Sequence, residues 1–214
     1  MLVREYMSSP AITVSPETSI HDAEKMLREH QVRRLPVVEK GKLVGIVTQN
    51  RLRNVSASPA TSLSVWELNY LLAKMKVKDV MEKNVVVITP DTTIEAAATL
   101  GQSRGVGTLP VVEGDKVVGV VTTTDLFRIL TDALGFGETG ARLRIRDRAT
   151  TSNAQKDIMD IIGKHGAKIV AMFYSAPGPR ASREDLIIHL DTTDPVKIVN
   201  DLKAKAFEVA ILKG

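Results

Sequence analysis

The chain has 214 residues, of which 43% are hydrophobic and 25% charged, and its formal net charge of +4 is too small to imply a nucleic-acid partner. It contains no cysteine, which excludes disulfides, Fe–S clusters, cysteine zinc sites and thiol catalysis. It also lacks an apolar run of the roughly 18 residues that a membrane helix needs and the apolar core of a signal peptide, so we expect a cytoplasmic protein without a membrane segment.

The first half of the chain contains an internal repeat. Residues 3–52 align with residues 77–126 without a gap, and eighteen of the fifty pairs are identical. The longest identical run is Leu-Pro-Val-Val-Glu, at residues 35–39 and 109–113. A match of this density indicates two copies of one supersecondary unit.

Each copy predicts the element order β-α-β-β-α. A short strand, residues 12–14 or 86–88, leads through a proline turn into an amphipathic helix. A hairpin of two strands follows, and its continuous β-branched runs predict burial on both faces. We expect Thr92 and Glu95 to form a capping box on the first helix of the second copy, and Gly135 to end its last helix in a left-handed conformation.

Residues 57–76 connect the copies. A Ser- and Pro-rich loop precedes a helix whose start is predicted by Ser64 and Glu67. This helix either covers a seam between the copies or presents Trp66 and Tyr70 to a partner.

Residues 137–214 predict a different unit, with the order β-α-β-β-α-β of a ferredoxin-like plait. Its first strand, residues 141–146, alternates strictly, so Arg142, Arg144 and Arg146 share one face. That row is either a solvent-facing edge or a patch for an anion or an acidic partner. Asp194 and Pro195 predict the cap and the first residue of its second helix.

The end of the second hairpin is the candidate site. Thr122 closes an apolar strand, and Asp125 follows three residues later as a helix begins. The first helical N–H groups and the Thr hydroxyl can bind a phosphate, and the Asp can accept both hydroxyls of a ribose. Alternatively, the two residues only cap the helix. The first copy keeps Thr48 but has Arg51 in place of the Asp, and a guanidinium cannot accept from a diol.

Both copies resemble CBS domains, regulatory modules named after cystathionine β-synthase. The resemblance rests on Met7 and Met81, the Leu-Pro-Val-Val runs and the Gly-x-x-Thr-x-x-Asp junction. It implies two CBS repeats, residues 1–56 and 77–136, that pair through their sheets into a Bateman module in which neither copy is stable alone. The expected fold class is therefore mixed α/β (α+β).

Residues 137–214 resemble an ACT domain, because a helix closes on His165-Gly166 and leads into a strand. The resemblance implies an effector site near residues 147–153. The whole chain resembles the AcuB-type acetoin-utilisation proteins, which implies a regulatory protein of carbon metabolism.

The CBS resemblance also implies a nucleotide cleft in the second copy. Carried onto this sequence, the cleft comprises Val87, Thr89, Gly107, Thr108, Leu109, Pro110, Thr122 and Asp125. Arg33, Arg34 and Arg51 of the first copy either reach the phosphates held there or lie on a solvated or helix-covering surface.

The sequence therefore predicts a non-catalytic sensor of AMP, ADP, ATP or S-adenosylmethionine that needs no cofactor. The four histidines show neither metal-ligand spacing nor a carboxylate-paired motif, so no metal site is expected. Both resemblances imply a homodimer and a regulated partner protein. The alternatives are a scaffold whose clefts have lost their ligand, which Arg51 favours, and a nucleic-acid-binding regulator, motivated by the pI of about 9.3.

Overall fold

The computed structural model describes residues 1–56, 74–146, 152–175 and 185–212. The chain divides into two compact units, Met1–Leu126 and Phe127–Gly214. The predicted connecting helix with Trp66 and Tyr70 lies outside the described residues, and so do residues 147–151 of the predicted effector loop. Within the described ranges, none of the helices combines the length and the apolar character that crossing a membrane requires.

The first unit contains both copies of the repeat except for most of the last helix of the second copy, which continues past Leu126 into the second unit. The first copy consists of α1 (Ile20–Glu29), β1 (Arg34–Glu39), β2 (Lys42–Thr48) and α2 (Gln49–Ser56). The second consists of the short α3 (Val77–Val80), α4 (Ile94–Arg104), β3 (Thr108–Glu113), β4 (Lys116–Thr122) and α5 (Thr123–Ala133). The strands form one sheet in the order β1-β2-β4-β3, and the copies meet in it at the pair Lys42–Lys116. The predicted hairpins and helices are thus confirmed.

The predicted first strand of each copy is reduced to one parallel bridge. Val14 bridges to Val37, and Ile88 bridges to Val111. Each segment lies beside its hairpin as expected, but the pairing goes no further. A proline follows two residues later in both copies, and a residue without an N–H group cannot extend the ladder.

The first helix of each copy begins with a hydroxyl cap. Ser19 Oγ accepts from the N–H of Asp22 at 3.0 Å in α1. In α4 the cap is Thr93, whose Oγ1 accepts from the N–H of Ala96 at 3.1 Å. The predicted Thr92–Glu95 capping box is therefore wrong by one residue, because Thr92 Oγ1 instead accepts from the N–H of Thr89 in the preceding turn.

The hairpins supply much of the core. Residues 35–37 and 109–111 are buried in succession, as the continuous β-branched runs predict, whereas the hairpin turns are exposed. In α1 the residues at helical spacing face the same core: Ile20, Ala23 and Leu27. The final helix of the second copy ends before Gly135, whose φ of 67° confirms the predicted left-handed stop.

The segment that leads into each copy pairs with the other copy. Ser8, ahead of the first copy, forms an antiparallel bridge with Val120 on β4. Glu82, ahead of the hairpin of the second copy, forms the equivalent bridge with Ile46 on β2. The leading segments are therefore exchanged between the copies.

Two methionines fix this exchange. Met7 Sδ lies 2.7 Å from the point where a Cβ on Gly119 would stand, and Met81 Sδ lies at the same distance from that point on Gly45. Each copy therefore completes the packing surface of the other, which supports the expectation that neither is stable alone.

The second unit has the predicted element order. It contains β5 (Ala141–Arg146), α6 (Ser152–Lys164), β6 (Ile169–Ser175), β7 (Asp185–Leu190), α7 (Val196–Ala204) and β8 (Glu208–Leu212). Its sheet is antiparallel with the order β6-β7-β5-β8, the arrangement of a ferredoxin-like plait. Both helices contribute to the core on one face of the sheet, with Leu143, Ile145, Ile158, Ile162, Leu186, Ile188, Ile198 and Leu202.

The start of α7 differs slightly from the prediction. Asp194 Oδ1 accepts from the N–H of Val196 at 3.3 Å, so Asp194 supplies a cap-like bond. Pro195, however, stands immediately before the helix rather than at its first position. The shift of one residue lies within the usual fraying of helix ends.

The expectation that the arginine row lies on a sheet edge is wrong. β5 lies between β7 and β8, because alternation shows that a strand has two unlike faces but not where it lies in its sheet. Each arginine has a partner within the second unit: Arg142 donates to Gly135 O, Arg144 lies 3.8 Å from Asp185, and Arg146 lies 2.8 Å from Glu208. These contacts argue against a patch reserved for an acidic partner.

Candidate functional site

β4 ends at Thr122, and α5 begins at the next residue, Thr123. The N–H and the Oγ1 of Thr122 both donate to Asp125 Oδ2, at 2.9 and 2.7 Å, and the N–H of Asp125 lies 3.3 Å from Thr122 Oγ1. This reciprocal box caps α5. Both residues are half-buried. A carboxylate has about four acceptor positions, and both of these bonds use Oδ2.

The start of β3 lies against this junction. Thr108 is the cross-strand partner of Thr122, and the N–H of Thr123 donates to Gly107 O at 3.2 Å. Thr108 is buried, with 9% of its surface exposed. The structure therefore brings Gly107 and Thr108 to the junction that holds Asp125.

The other four predicted cleft residues lie differently. Leu109 and Pro110 follow Thr108 on β3 and are buried. Thr89 lies in the turn before α4, where its hydroxyl is 3.1 Å from that of Thr92. Val87 is 44% exposed and lines a groove.

That groove, of about 300 Å³, lies between the two copies. Residues of β2, the segment leading into the second copy and the β3–β4 turn line it: Lys42, Leu43, Val44, Lys83, Val85, Val87, Val112, Gly114 and Asp115. Lys42 Nζ lies 2.5 Å from Asp115 Oδ2 at its rim. This hydrogen bond and the Lys42 charge lower the pKa of Asp115, and the same contact raises the pKa of Lys42.

Arg34 of the first copy reaches the cleft of the second. Its Nη1 donates to Thr108 Oγ1 at 3.4 Å and lies 2.8 Å from the point where a Cβ on Gly107 would stand. Glycine at position 107 therefore makes room for the guanidinium. A positive charge from one copy thus lies beside the junction that carries Asp125 in the other.

Arg51 is held at the junction of its own copy. Its Nη1 donates to Val80 O at 3.4 Å, and its Nη2 lies 3.6 Å from Glu82 Oε2. Its N–H still donates to Thr48 Oγ1 at 3.2 Å, so the hydroxyl cap of the first copy is kept. Arg33 is exposed. Of the three arginines considered from the sequence, Arg34 is the one whose described contacts reach the second-copy cleft.

Sequence reasoning missed Ser8 and Ser9. Ser9 Oγ donates to Val118 O at 2.9 Å, which places this segment of the first copy on the strand that leads to Thr122. The repeat alignment assigned each segment to its own copy, and nothing in a linear alignment shows that two copies exchange segments. The methionine before each segment and the glycine of each hairpin were the available signal.

One histidine of the second unit is paired with a carboxylate. His165 Nε2 lies 2.9 Å from Asp201 Oδ2, so a histidine with no carboxylate-paired motif in the sequence has a carboxylate partner in the structure. The two residues are 36 positions apart, which no local motif could reveal. Across the described part of the chain, no group of three or more histidine, aspartate or glutamate side chains is placed to hold a metal ion.

The CBS domain family matches residues 3–58 and 77–132. The chain therefore belongs to the CBS-domain family and carries the domain twice.

Curated relatives include both stand-alone proteins and enzymes. A CBS domain-containing protein of Dictyostelium discoideum is 33% identical over 136 residues, 63% of this chain and 94% of its own length. Inosine-5'-monophosphate dehydrogenase of Korarchaeum cryptofilum is 31% identical over 171 residues, 75% of this chain. L-aspartate semialdehyde sulfurtransferase of Methanocaldococcus jannaschii is 32% identical over 132 residues, 60% of this chain. The chain spans only 33% and 23% of the lengths of these two enzymes.

Solved structures show the same CBS pair. A putative acetoin utilization protein (AcuB) of Vibrio cholerae has a TM-score of 0.54 and 26% identity, over 63% of this chain and 93% of its own. The CBS pair of protein MJ0100, in complex with 5'-methylthioadenosine and S-adenosyl-L-methionine, has a TM-score of 0.52 and 30% identity, over 61% and 95%. CBSX2 in complex with AMP has a TM-score of 0.51 and 29% identity, over 60% and 95%.

Proposed function

We propose that this protein is a non-catalytic regulator that binds an adenine nucleotide or an S-adenosyl ligand at the Thr122–Asp125 junction. The observation that carries the proposal is the half-buried Asp125 at the N-terminus of α5, with the Arg34 guanidinium of the other copy at Thr108. The AMP, 5'-methylthioadenosine and S-adenosyl-L-methionine complexes of similar CBS pairs support the ligand class.

Each group has a distinct role in this proposal. Asp125 accepts the two hydroxyls of the ribose, and the first N–H groups of α5 bind the phosphate. Thr122, whose hydroxyl donates to Asp125 Oδ2, positions that carboxylate. Arg34 adds a charge-assisted hydrogen bond to the same phosphate. Gly107 and Thr108, at the start of β3, form the side of the site that Arg34 contacts. Val87 and Thr89, on either side of the bridge between Ile88 and Val111, complete the proposed cleft.

Such a ligand would regulate by holding both copies at once. Asp125 belongs to the second copy and Arg34 to the first, so a ligand that contacts both favours one arrangement of the pair. A ligand shifts an equilibrium only as far as its affinity differs between the two states. The regulated partner is therefore expected to recognise the arrangement that the ligand favours.

The remaining assignments extend this proposal. The domain division is residues 1–56, 77–136 and 137–214, with a connection at 57–76. The third part is proposed to be an ACT-like domain, which the sheet order β6-β7-β5-β8 and the helix that closes on Gly166 support. The likeness to the Vibrio cholerae protein supports a link to acetoin or related carbon metabolism. We place the protein in the cytoplasm, where adenine nucleotides are abundant, as a homodimer.

Calorimetry with AMP, ATP and S-adenosylmethionine tests the site. Asp125→Ala should weaken the tightest of these by about 10- to 100-fold, because removing an acceptor from a polar site costs about 1–3 kcal/mol. Arg51→Ala, the matched change in the first copy, should leave the affinity within about twofold of wild type. Equal affinity of wild type and Asp125→Ala would show that the ligand binds elsewhere.

A second candidate is a scaffold that binds no nucleotide. It is favoured by Arg51, which replaces the acceptor of the first copy and is already engaged with Val80 O and Glu82. This candidate predicts that wild type binds none of the three adenosyl compounds in the calorimetric experiment.

A further inference from the structure

The connection between α5 and β5, residues 134–140, is held on the sheet of the second unit. Arg142 Nη2 donates to Gly135 O at 3.2 Å, and the guanidinium carbon of Arg142 lies 3.7 Å from the centroid of the Phe136 ring. Arg142 on β5 therefore contacts two successive residues of the connection: Gly135 through a hydrogen bond and Phe136 through a cation–π contact.

A buried histidine brings the same connection close to β7. His189 is only 2% exposed, and its Nδ1 lies 2.6 Å from the point where a Cβ on Gly135 would stand. Its Nε2 lies 2.8 Å from the corresponding point on Gly140. Any side chain at either glycine would collide with the ring, and Gly135 also has a φ of 67°. The connection is thus packed against the sheet and is not a free tether.

The connection continues directly from the helix that carries the candidate site. α5 runs from Thr123 to Ala133, and the boundary between the compact units falls within it, after Leu126. The N–H of Phe136 donates to Thr131 O at 2.8 Å, which ties the connection to the last turn of α5. Asp125 is in the first turn of this helix and Arg142 holds the segment that follows its last turn.

We propose that Arg142 latches the end of α5 to the sheet of the second unit, and that ligand binding at Asp125 is transmitted along α5 to that sheet through the latch. The latch is defined as the contacts of Arg142 with Gly135 and Phe136. This inference rests on the proposed function for its ligand. Arg142, which contacts Gly135 and Phe136, is a positioning residue in this proposal. Coupling of this kind needs a physically continuous connection between the sites, and α5 with its latch provides that continuity.

Hydrogen exchange of the full chain, with and without saturating AMP, tests the latch. In wild type, AMP should slow amide exchange in β5 and β7 by about fivefold, the lower end of typical coupling between sites. Arg142→Ala should bind AMP within about twofold of wild type but lose this protection. Arg146→Ala is the matched control, because Arg146 lies on the same strand and face but pairs with Glu208. It should keep the protection.

Two milder variants test whether the loss of protection comes from loss of the latch or from unfolding of the second unit. Phe136→Leu removes the cation–π contact from a side chain that is 47% exposed, and it should reduce the protection without unfolding the second unit. Arg142→Lys keeps the charge but loses the planar stacking, so it should fall between Arg142→Ala and wild type.

Hydrogen exchange without ligand distinguishes failure of the latch from failure of the proposed nucleotide site. Asp125→Ala removes a cap of α5, which should speed exchange in β5 and β7 when Arg142 is present and leave them unchanged in the Arg142→Ala background. If AMP binds wild type but neither strand responds, or if Arg142→Ala keeps the AMP protection, the latch is overturned and the nucleotide site stands. If AMP does not bind, the nucleotide site fails, and the response of these strands to Asp125→Ala still decides the latch.

Discussion

At the junction of the second copy, the N–H and hydroxyl of Thr122 both donate to Asp125, whereas at the junction of the first copy Arg51 reaches Val80 O and Glu82. The surroundings are otherwise alike. Both hairpins have the same register, with an irregularity at the same place, and both threonines accept from the N–H three residues later. The duplicate copies thus keep the residues that hold the fold and differ at the residue proposed to contact a ligand.

The largest expected effect tests whether the two scaffolds are equivalent. Leu35 and Leu109 are equivalent in the repeat and 0% and 2% exposed. Leu35→Ala and Leu109→Ala should each lower the free energy of unfolding by about 2–5 kcal/mol, because each leaves a cavity in a packed core. Urea denaturation measures both. A cost confined to one copy would show that the copies do not contribute equally to the core.

The next effect concerns the charge that crosses between the copies. Arg34→Ala should weaken binding of AMP by about 1.5–3 kcal/mol, the range for a hydrogen bond to a charged group, and leave binding of adenosine unchanged. Calorimetry with the two ligands separates the phosphate from the nucleoside. Arg33→Ala is the control, since Arg33 is exposed and adjacent. Equal losses for AMP and adenosine would contradict a phosphate contact.

A smaller effect separates capping from ligand binding. Without ligand, Asp125→Ala should lower the free energy of unfolding by about 1 kcal/mol, because α5 loses a cap acceptor. Arg51→Ala should change it by less than about 0.5 kcal/mol, since its ion pair with Glu82 is half-exposed and 3.6 Å long. Thermal denaturation of both variants gives the comparison. A larger loss for Arg51→Ala would mean that Arg51 supports the first copy as a structural residue.

The smallest effect lies where the hairpins of the two copies meet. The Lys42 hydrogen bond and charge lower the pKa of Asp115. A carboxyl whose folded pKa is lowered contributes stability that is present above its unfolded pKa and lost as the pH falls through its folded pKa. Because both side chains are exposed, the effect on stability should be slight. NMR titration of Asp115 should show a pKa closer to the ordinary value in Lys42→Ala, and no change in the neighbouring Lys40→Ala. An unchanged Asp115 titration in Lys42→Ala would show that the ion pair is not formed in solution.

The fold was largely predictable because its signals are local. Hydrophobic spacing placed α1 and the hairpins, Gly135 marked the end of α5, and strict alternation identified β5. The errors were also local: the Thr92 cap was one residue early, and two expected strands were single bridges. The position of β5 in the centre of its sheet was not predictable, because strand order depends on partners far along the chain.

The sequence by itself determined the repeat, the element order and the Thr122–Asp125 pair, because residues three apart meet at a helix N-terminus whatever surrounds them. Only the tertiary structure decided that the leading segments are exchanged, that Arg34 lies over Gly107 and that Arg142 holds the connection after α5. Arg34 and Thr108 are 74 positions apart, and their contact depends on how two copies pair rather than on either copy alone. The half of the site that depends on spacing was therefore visible in the sequence, and the half that depends on the pairing of the copies was not.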